Sequence, residues 1–281
     1  VATASTGDFY WDGSINSSWT GISGLNANWS TDRAGDANAG GTPGVLTSVI
    51  FSSDDVTGTA LTTTLDGAFS IKDLSFINEV GVGPLSSVSI ASGASGTLTI
   101  TPSTGTGGIN VQTGAPATIT ISAPVTLGAS QTWAVADAAT ILASSGGISG
   151  TANLTKDGAG ILTLSGTNNY AGTTAIAAGV LQAGAANGFN QTSAHTVSAG
   201  AILRLNAFSA TIGSLAGAGT VENGGAFNVI LTAGGDNSST TFSGALQNGA
   251  TATLALTKVG NGALTLSGTN THTGNTVVNG G

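Results

Sequence analysis

An internal repeat limits the folds that are open to this chain. Residues 154–179 (LTKDGAGILTLSGTNNYAGTTAIAAG) return as residues 256–281 (LTKVGNGALTLSGTNTHTGNTVVNGG), at an offset of 102 residues without a gap. By direct count, 15 of the 26 aligned positions are identical. Self-similarity of this kind is typical of a repeat architecture, in which each unit packs on its neighbours, and not of one globular core.

Each copy contains a short run in which apolar and hydroxyl side chains alternate. The run is ILTLS at residues 161–165 and ALTLS at residues 263–267. This period of two predicts a half-buried strand, and the glycines and Asn168 or Asn270 around it predict turns. Short strands joined by tight turns, with few charged residues, predict a coil that winds and stacks on itself.

The sequence pattern of the repeat, LTKxGxGxLTLSGTNxxxG, resembles the autotransporter-associated β-strand repeat of bacterial surface proteins. Residues 213–221 and 235–244 are similar to the segments that lead into such a repeat. The resemblance implies an all-β fold, a right-handed parallel β-helix (β-solenoid). It also implies export to the outside or outer surface of a Gram-negative-type bacterium. It says little about activity, because members of the family differ in what they do.

The first 44 residues differ from the remainder, because Trp11, Trp19 and Trp29 lie within 19 residues of one another. We expect residues 1–44 to form an aromatic-rich N-terminal cap that covers the first coil. Two alternatives stay open, a platform on which sugars stack and an interface that docks a neighbouring subunit. Residues 45–281 are then the β-solenoid, with its repeat copies at 154–179 and 256–281.

The spacing of apolar residues in the body predicts the length of a coil. Leu98, Ile119, Ile141 and Leu162 recur at intervals of 21 or 22 residues, which fits three short strands and their turns. Residues from 45 onwards would form roughly ten coils. At ~4.8 Å per strand layer, the rod would be roughly 50 Å long.

Composition excludes several classes of function. The 281 residues include no cysteine, which removes disulfides, thiol catalysis and most zinc sites. Five basic residues are too few for a nucleic-acid-binding surface. No run of about 18 apolar residues is present to span a membrane.

The residues that could carry chemistry are few. Asp157 becomes Val259 in the second copy, so the repeat does not require a carboxylate, and we predict no catalytic residues. Lys156 and Lys258 are expected to be solvated or to make a local turn contact. His195 and His272, the two histidines, belong to no recognisable catalytic motif.

One acidic stretch, DRAGDANAGG, could hold a calcium ion. Its candidate oxygen ligands are Asp32, Asp36 and Asn38, although their spacing does not match the twelve-residue calcium loop. The alternative is an acidic surface turn. We predict no other cofactor.

The two ends of the coil are the predicted functional surfaces. The sequence stops just before the strand that follows Gly179 in the first copy, so either the precursor continues or another subunit supplies the next coil. Unpaired strand edges of this kind template pairing with another chain. The predicted interface residues are Trp11, Trp19, Trp29, Leu264, Leu266, Val277 and Val278.

These patterns favour a non-enzymatic, extracellular structural solenoid whose copies join end to end into a filament or surface stalk. The first alternative is an adhesin that binds glycans or a host surface. The second is a polysaccharide-degrading β-helix enzyme, which would need paired carboxylates in a cleft.

Overall fold

The computed structural model describes residues 6–12, 15–23, 26–33, 37–52, 60–77 and 86–281. Within these ranges the chain consists of strands and turns without a helix, so the expectation of an all-β fold is confirmed. It follows that the described residues include no helix that could cross a membrane.

The strands are short, and most have three to six residues. In chain order they are β1 (Thr6–Trp11), β2 (Ile22–Ser23), β3 (Asn26–Ala27), β4 (Trp29–Ser30), β5 (Leu46–Phe51), β6 (Ala60–Leu65), β7 (Ala68–Ile71), β8 (Asp73–Phe76), β9 (Ser87–Ser92), β10 (Thr97–Ile100), β11 (Gly108–Val111), β12 (Thr118–Ile121), β13 (Val125–Leu127), β14 (Gln131–Val135), β15 (Ile141–Ser144), β16 (Ile148–Gly150), β17 (Leu154–Asp157), β18 (Ile161–Leu164), β19 (Thr174–Ile176), β20 (Val180–Ala183), β21 (Ala194–Val197), β22 (Ile202–Arg204), β23 (Ala210–Ile212), β24 (Ser214–Gly217), β25 (Thr220–Glu222), β26 (Val229–Ala233), β27 (Thr240–Phe242), β28 (Ala245–Gln247), β29 (Leu254–Lys258), β30 (Leu264–Leu266) and β31 (Thr276–Val278).

The strands stack into three faces that run along one axis, which confirms the parallel β-solenoid. Face 1 is a twelve-stranded sheet in the order β30-β27-β24-β21-β19-β17-β14-β11-β8-β5-β1-β4. Face 2 is a nine-stranded sheet in the order β28-β25-β22-β20-β18-β15-β12-β9-β6. Face 3 consists of two four-stranded sheets, β16-β13-β10-β7 and β23-β26-β29-β31. Between these two sheets, hydrogen bonds through Asn168 continue the stacking.

Alternation along each strand places one row of side chains in the core and one row outside. The row Leu98–Ile119–Ile141–Leu162 expected from the sequence is wrong in two members. Leu98 lies on face 3, in β10, and Ile141 points outward from β15. The buried row on face 2 is Val88, Ile119, Leu142, Leu162, Leu181, Leu203, Val221 and Leu246. Its intervals vary because the turns differ in length.

The N-terminal edge of the solenoid is covered by the chain's own backbone. On face 1, β4 runs antiparallel to β1, with Trp11 opposite Trp29, and so lies beyond the first parallel strand. On face 2, the amide of Trp19 donates to the carbonyl of Thr64 at 3.0 Å, beside β6. Because β1 itself pairs in parallel with β5, this strand of the N-terminal region belongs to the ladder of the solenoid.

The two repeat copies lie on different faces. In the first copy β17 belongs to face 1 and β18 to face 2. In the second copy the equivalent strands, β29 and β30, belong to face 3 and face 1. The second copy is therefore turned by one face around the axis. The repeated unit specifies a corner and its two flanking strands, and it occupies two different corners of the coil.

Candidate functional site

The repeated lysine is part of the core. Lys156 occupies an inward position of β17, between Trp133 and Ile176 on the neighbouring strands, and it is fully buried. Its Nζ atom donates to the carbonyls of Asp157 at 2.6 Å and Gly158 at 2.7 Å, and to Ala178 on the next coil at 3.1 Å. The lysine thus ties one turn to the turn stacked upon it.

The second lysine makes the same three contacts. Lys258 Nζ donates to the carbonyls of Val259 at 2.7 Å, Gly260 at 3.0 Å and Gly280 at 3.1 Å. These acceptors lie one, two and 22 residues after the lysine, as in the first copy. The expectation of a turn contact is therefore confirmed, whereas the alternative of a solvated lysine is wrong.

Each lysine is followed two residues later by a glycine, because the turn at that position needs a left-handed backbone. Gly158 has φ of 75° and Gly260 has φ of 71°, a left-handed backbone that side chains with a Cβ rarely adopt. This turn points the carbonyl toward the lysine. Burial lowers the pKa of Lys156 to about 8, and the charge of Asp157 opposes that shift. At pH 7 the ammonium form still dominates and can donate all three hydrogen bonds.

Other shared residues of the repeat also join coils. Asn168 Oδ1 accepts from the amide of Ile148 at 2.9 Å, and its Nδ2 donates to the carbonyl of Gly188 at 2.6 Å. Asn270 Oδ1 accepts from the amide of Leu246 at 2.9 Å. In both copies the amide therefore bonds to the backbone of a neighbouring coil, so the predicted turn asparagine also holds coils together.

Comparison of the two copies separates buried from exposed positions. In residues 154–179 seven side chains are exposed, and six of these seven differ in the second copy. The identical positions are buried or half-buried, apart from Thr167. The repeat therefore keeps mostly buried or half-buried residues, whereas its exposed positions vary, although the buried Tyr170 and Ile176 are also replaced.

The three tryptophans at the N-terminal end form one buried cluster. Trp11, Trp19 and Trp29 are at most 1% exposed. The ring of Trp29 meets those of Trp11 and Trp19 edge to face, at centroid distances of 4.9 Å and 5.0 Å. Phe51 and Phe69 close the cluster from the first coil. A sugar could stack on these indoles only if the cluster opened.

The calcium hypothesis falls partly outside the described residues. Asp36 is outside them, whereas Asp32 Oδ1 accepts from Ser30 Oγ at 3.0 Å and Asn38 Oδ1 accepts from the amide of Gly40 at 2.7 Å. In the described ranges, no three His, Cys, Asp or Glu side chains converge as metal ligands. Calcium binding at Asp32, Asp36 and Asn38 stays a prediction.

The C-terminal coil exposes the inward side of its strands. Leu264 and Leu266 on β30 are half-buried, and Val277 and Val278 on β31 are 41% and 65% exposed. Together with Leu256 and Thr276, three of these residues border a concavity of about 270 Å³ at the end of the core. Leu264, Leu266 and Val278 therefore form an apolar surface on which another coil could stack, whereas Val277 pairs with the outward Thr257 and points away from it.

A groove lies on the outer side of face 1, and sequence analysis missed it. It has a volume of about 510 Å³ and crosses β1, β5, β8 and β11. Its lining residues are Asp8, Ser48, Ile50, Asp73, Ser75, Thr104, Thr106, Gly107, Gly108, Ile109, Asn110 and Ala134. Aspartate and asparagine are depleted in strands, so Asp8 of β1, Asp73 of β8 and Asn110 of β11 were the signals in the sequence.

The groove contains two carboxylates on the same row of face 1. Asp8 pairs with Ser48, and Ser48 pairs with Asp73, so the two acids are two strands apart, ~9.6 Å between backbones. Asp8 is exposed. Asp73 Oδ1 accepts from the amide of Gly108 at 2.9 Å, and its Oδ2 lies 3.6 Å from Lys72 Nζ. Neither carboxyl has the apolar surroundings that a general acid needs.

His195 is buried in the core and has no catalytic neighbour among the described residues. Its Nδ1 donates to the carbonyl of Ser193 at 2.9 Å, and the ring of Phe189 lies 6.0 Å away. Burial lowers the pKa of His195 to about 4, and the Ser193 hydrogen bond opposes that shift. The imidazole is therefore neutral in the folded protein at pH 7.

This burial predicts a loss of stability in mild acid. In the unfolded chain the histidine takes up a proton near pH 6.5, whereas in the folded protein it does so near pH 4. The contribution of His195 to stability is complete above pH 6.5 and is lost as the pH falls toward 4. The free energy of unfolding should therefore fall by about 3 kcal/mol over this range. Urea unfolding at a series of pH values measures this loss.

Two variants make the acid prediction specific. In His195→Gln the loss between pH 6.5 and 4 should shrink by about 3 kcal/mol, because no imidazole remains to titrate. His272→Tyr is the matched control, since Tyr170 stands at that position in the first copy, and it should keep the wild-type slope. Equal slopes in His195→Gln and the wild type would contradict the assignment.

The fold and its repeated corner define a parallel β-solenoid whose repeat serves coil stacking. The profile of one family, the passenger-associated-transport-repeat, matches residues 154–183 and 256–281. The chain thus carries two copies of this repeat, and the expected resemblance to autotransporter-associated repeat proteins is confirmed. A search of curated proteins and a search of solved structures found no match. The repeat and the solenoid together fit an autotransporter passenger.

Proposed function

We propose that this chain is a non-enzymatic structural solenoid of an exported autotransporter passenger, displayed on the outer surface of a Gram-negative bacterium. One observation carries this function. Most positions that the two copies share are buried or half-buried and make contacts between coils, and six of the seven exposed side chains of the first copy differ in the second. A repeat that is preserved for catalysis or for a ligand would keep its exposed side chains instead.

The mechanical basis of the function is the backbone ladder. On face 1, parallel pairing continues from β1 to β30, so hydrogen bonds run along the axis through most of the chain. The buried lysines and asparagines add bonds between turns at the corners, where the strands do not reach. Each coil contacts only its neighbours, and the result is an elongated rod.

The outer surface of the rod carries few charged residues, and uncharged polar side chains make most of its contacts with solvent. On face 2 a row of polar side chains crosses successive coils. Arg204 Nε donates to Glu222 Oε1 at 2.6 Å, and Gln247 Nε2 donates to Glu222 Oε2 at 3.0 Å. These side chains satisfy their own hydrogen bonds across successive coils.

The geometry of the two ends supports a stalk or filament in which coils stack end to end. At the N-terminal end, β4 and the segment around Trp19 cover the strand edges. At the other end, Leu264, Leu266 and Val278 offer an apolar surface and strand edges on which a further coil fits, whether from the same protein or from a second copy. A filament of copies joined end to end is the second form of this proposal.

The adhesin and enzyme alternatives depend on the groove of face 1. Its polar lining favours the binding of a ligand. Hydrolysis is not favoured, because Asp8 is exposed and Asp73 is held by Gly108 and Lys72. A general acid needs a carboxyl group that stays protonated.

Electron microscopy and small-angle scattering of the purified protein at several concentrations test the rod. We expect rods of about 50 Å, from about ten strand layers at ~4.8 Å each. A constant length supports the stalk, whereas filaments that disappear in Val278→Lys support end-to-end assembly. A compact globular particle, or release of sugars from polysaccharides, would contradict the proposed function.

A further inference from the structure

The groove on the outer side of face 1 has a floor of strands and a wall made by a loop. The floor has two rows, Asp8–Ser48–Asp73 and Ile50–Ser75–Asn110, with one residue of each row on each successive strand. Both rows are thus parallel to the axis of the rod. A linear polymer that lies along this axis meets a new side chain about every 4.8 Å.

The wall of the groove is the loop that contains Thr104 and Thr106. Thr132 Oγ1 donates to the carbonyl of Gly105 at 3.0 Å and so ties the loop to face 1. The loop passes close to the floor, because a Cβ atom on Gly107 would come within 2.4 Å of Asp73 Oδ1. Glycine at this position therefore keeps the wall of the groove close to Asp73.

Several polar groups of the groove have no partner among the described residues. The side chains of Asp8, Ser48, Ser75 and Asn110 make no hydrogen bond there, although Asn28, Asn168 and Asn223 all do elsewhere. Four unpaired groups that converge on one cavity of about 510 Å³ resemble a ligand site. Such sites typically occupy ~300–1,000 Å³ and combine apolar lining with a few placed polar groups.

We propose that this groove binds a neutral oligosaccharide. Sugar hydroxyls can donate to the carboxylates of Asp8 and Asp73, and they can also pair with the hydroxyl of Ser75 and the amide of Asn110. Ile50, with Tyr10 beside it in the same outward row, offers an apolar surface for the C–H side of a sugar ring. Two carboxylates in the lining repel uronic acids and other anionic sugars.

A calcium ion fits the same groups less well. Calcium needs six to eight oxygens at ~2.3–2.6 Å from one point. The backbones of Asp8 and Asp73 are two strands apart, ~9.6 Å, and one oxygen of Asp73 already accepts from Gly108. Groups spread along a row suit an extended ligand better than a single ion.

The site differs from the sugar platform that was one alternative for the tryptophans. Trp11, Trp19 and Trp29 are buried, whereas the groove is open to solvent on the outer side of face 1. Binding in the groove does not depend on how the rod assembles. If the groove bound no sugar, the solenoid could still serve as a structural rod. The oligosaccharide site and the structural function can therefore fail independently of each other.

Isothermal titration of the purified protein with defined trisaccharides tests the site. The probes are cellotriose, mannotriose and N,N′,N″-triacetylchitotriose, with trigalacturonate as the anionic comparison. We expect at least one neutral probe to bind and trigalacturonate not to bind. Asn110→Ala and Asp8→Asn should each weaken the binding about tenfold, as the loss of a hydrogen bond to a ligand does.

Thr196→Ala is the matched control. Thr196 is an exposed outward residue of face 1 on β21, far along the rod, and its replacement should leave binding unchanged. Failure of all three neutral probes to bind would overturn the site, and so would unchanged binding in both groove variants. Calcium binding that Asp8→Asn abolishes, without any sugar binding, would also overturn it.

Discussion

Replacing Trp19 with alanine is expected to destabilise the N-terminal part of the solenoid by about 4 kcal/mol. The indole is fully buried, and its ring packs edge to face on Trp29 at 5.0 Å and on Phe69 at 5.2 Å. Its Nε1 donates to Thr63 Oγ1 at 3.1 Å, inside the core. The variant loses this packing and leaves a cavity between the segment that covers the edge and the first coil.

The loss should stay local, because coils of a solenoid are coupled mainly to their neighbours. Hydrogen exchange is the appropriate measurement. Amides of β1, β5 and β6 should exchange faster in Trp19→Ala, whereas those of β17 and β18 should keep their wild-type protection.

Phe227→Ala is the control for the loss of an aromatic ring. Phe227 is 74% exposed, and its replacement should change stability by less than about 0.5 kcal/mol. Wild-type exchange in Trp19→Ala together with lost sugar binding would contradict the buried role. That outcome would assign Trp19 to a binding surface.

The sequence predicted those parts of the fold, strands and turns, that depend on residues close together in the chain. The alternation in residues 161–165 specified a strand with an inner and an outer side, and the glycines specified turns. The length of a coil was predicted less well, because turns differ in length and the inner row on face 2 recurs at irregular intervals. The placement of Leu98 on face 3 depends on those turn lengths.

The roles of Lys156 and Asp8 could not be read from local sequence, since both depend on neighbours that stacking supplies. Lysine is among the residues that are least often buried, which favours a solvated side chain for any single lysine. The carbonyl of Ala178, 22 residues later, becomes its partner only when the next coil forms. The groove likewise unites Asp8, Asp73 and Asn110 across four strands.

Replacing Lys156 with methionine is expected to lower the free energy of unfolding by about 3 kcal/mol at pH 7. Methionine retains an unbranched apolar stem to pack between Trp133 and Ile176, so little volume is lost. The carbonyls of Asp157, Gly158 and Ala178 remain and lose their donor. Replacing a whole buried polar cluster by apolar groups can be neutral, but here only one side of the contact is removed.

Lys72→Met is the control, because Lys72 is 38% exposed in its side chain and pairs with Asp73 at 3.6 Å. An exposed ion pair of this kind contributes at most about 1 kcal/mol. Denaturant unfolding of both variants at pH 7 compares the two lysines, and hydrogen exchange should locate the loss in Lys156→Met at the turn after β17. A stability equal to the wild type would mean that water satisfies the three carbonyls, and that the repeat keeps this lysine for a reason other than coil stacking.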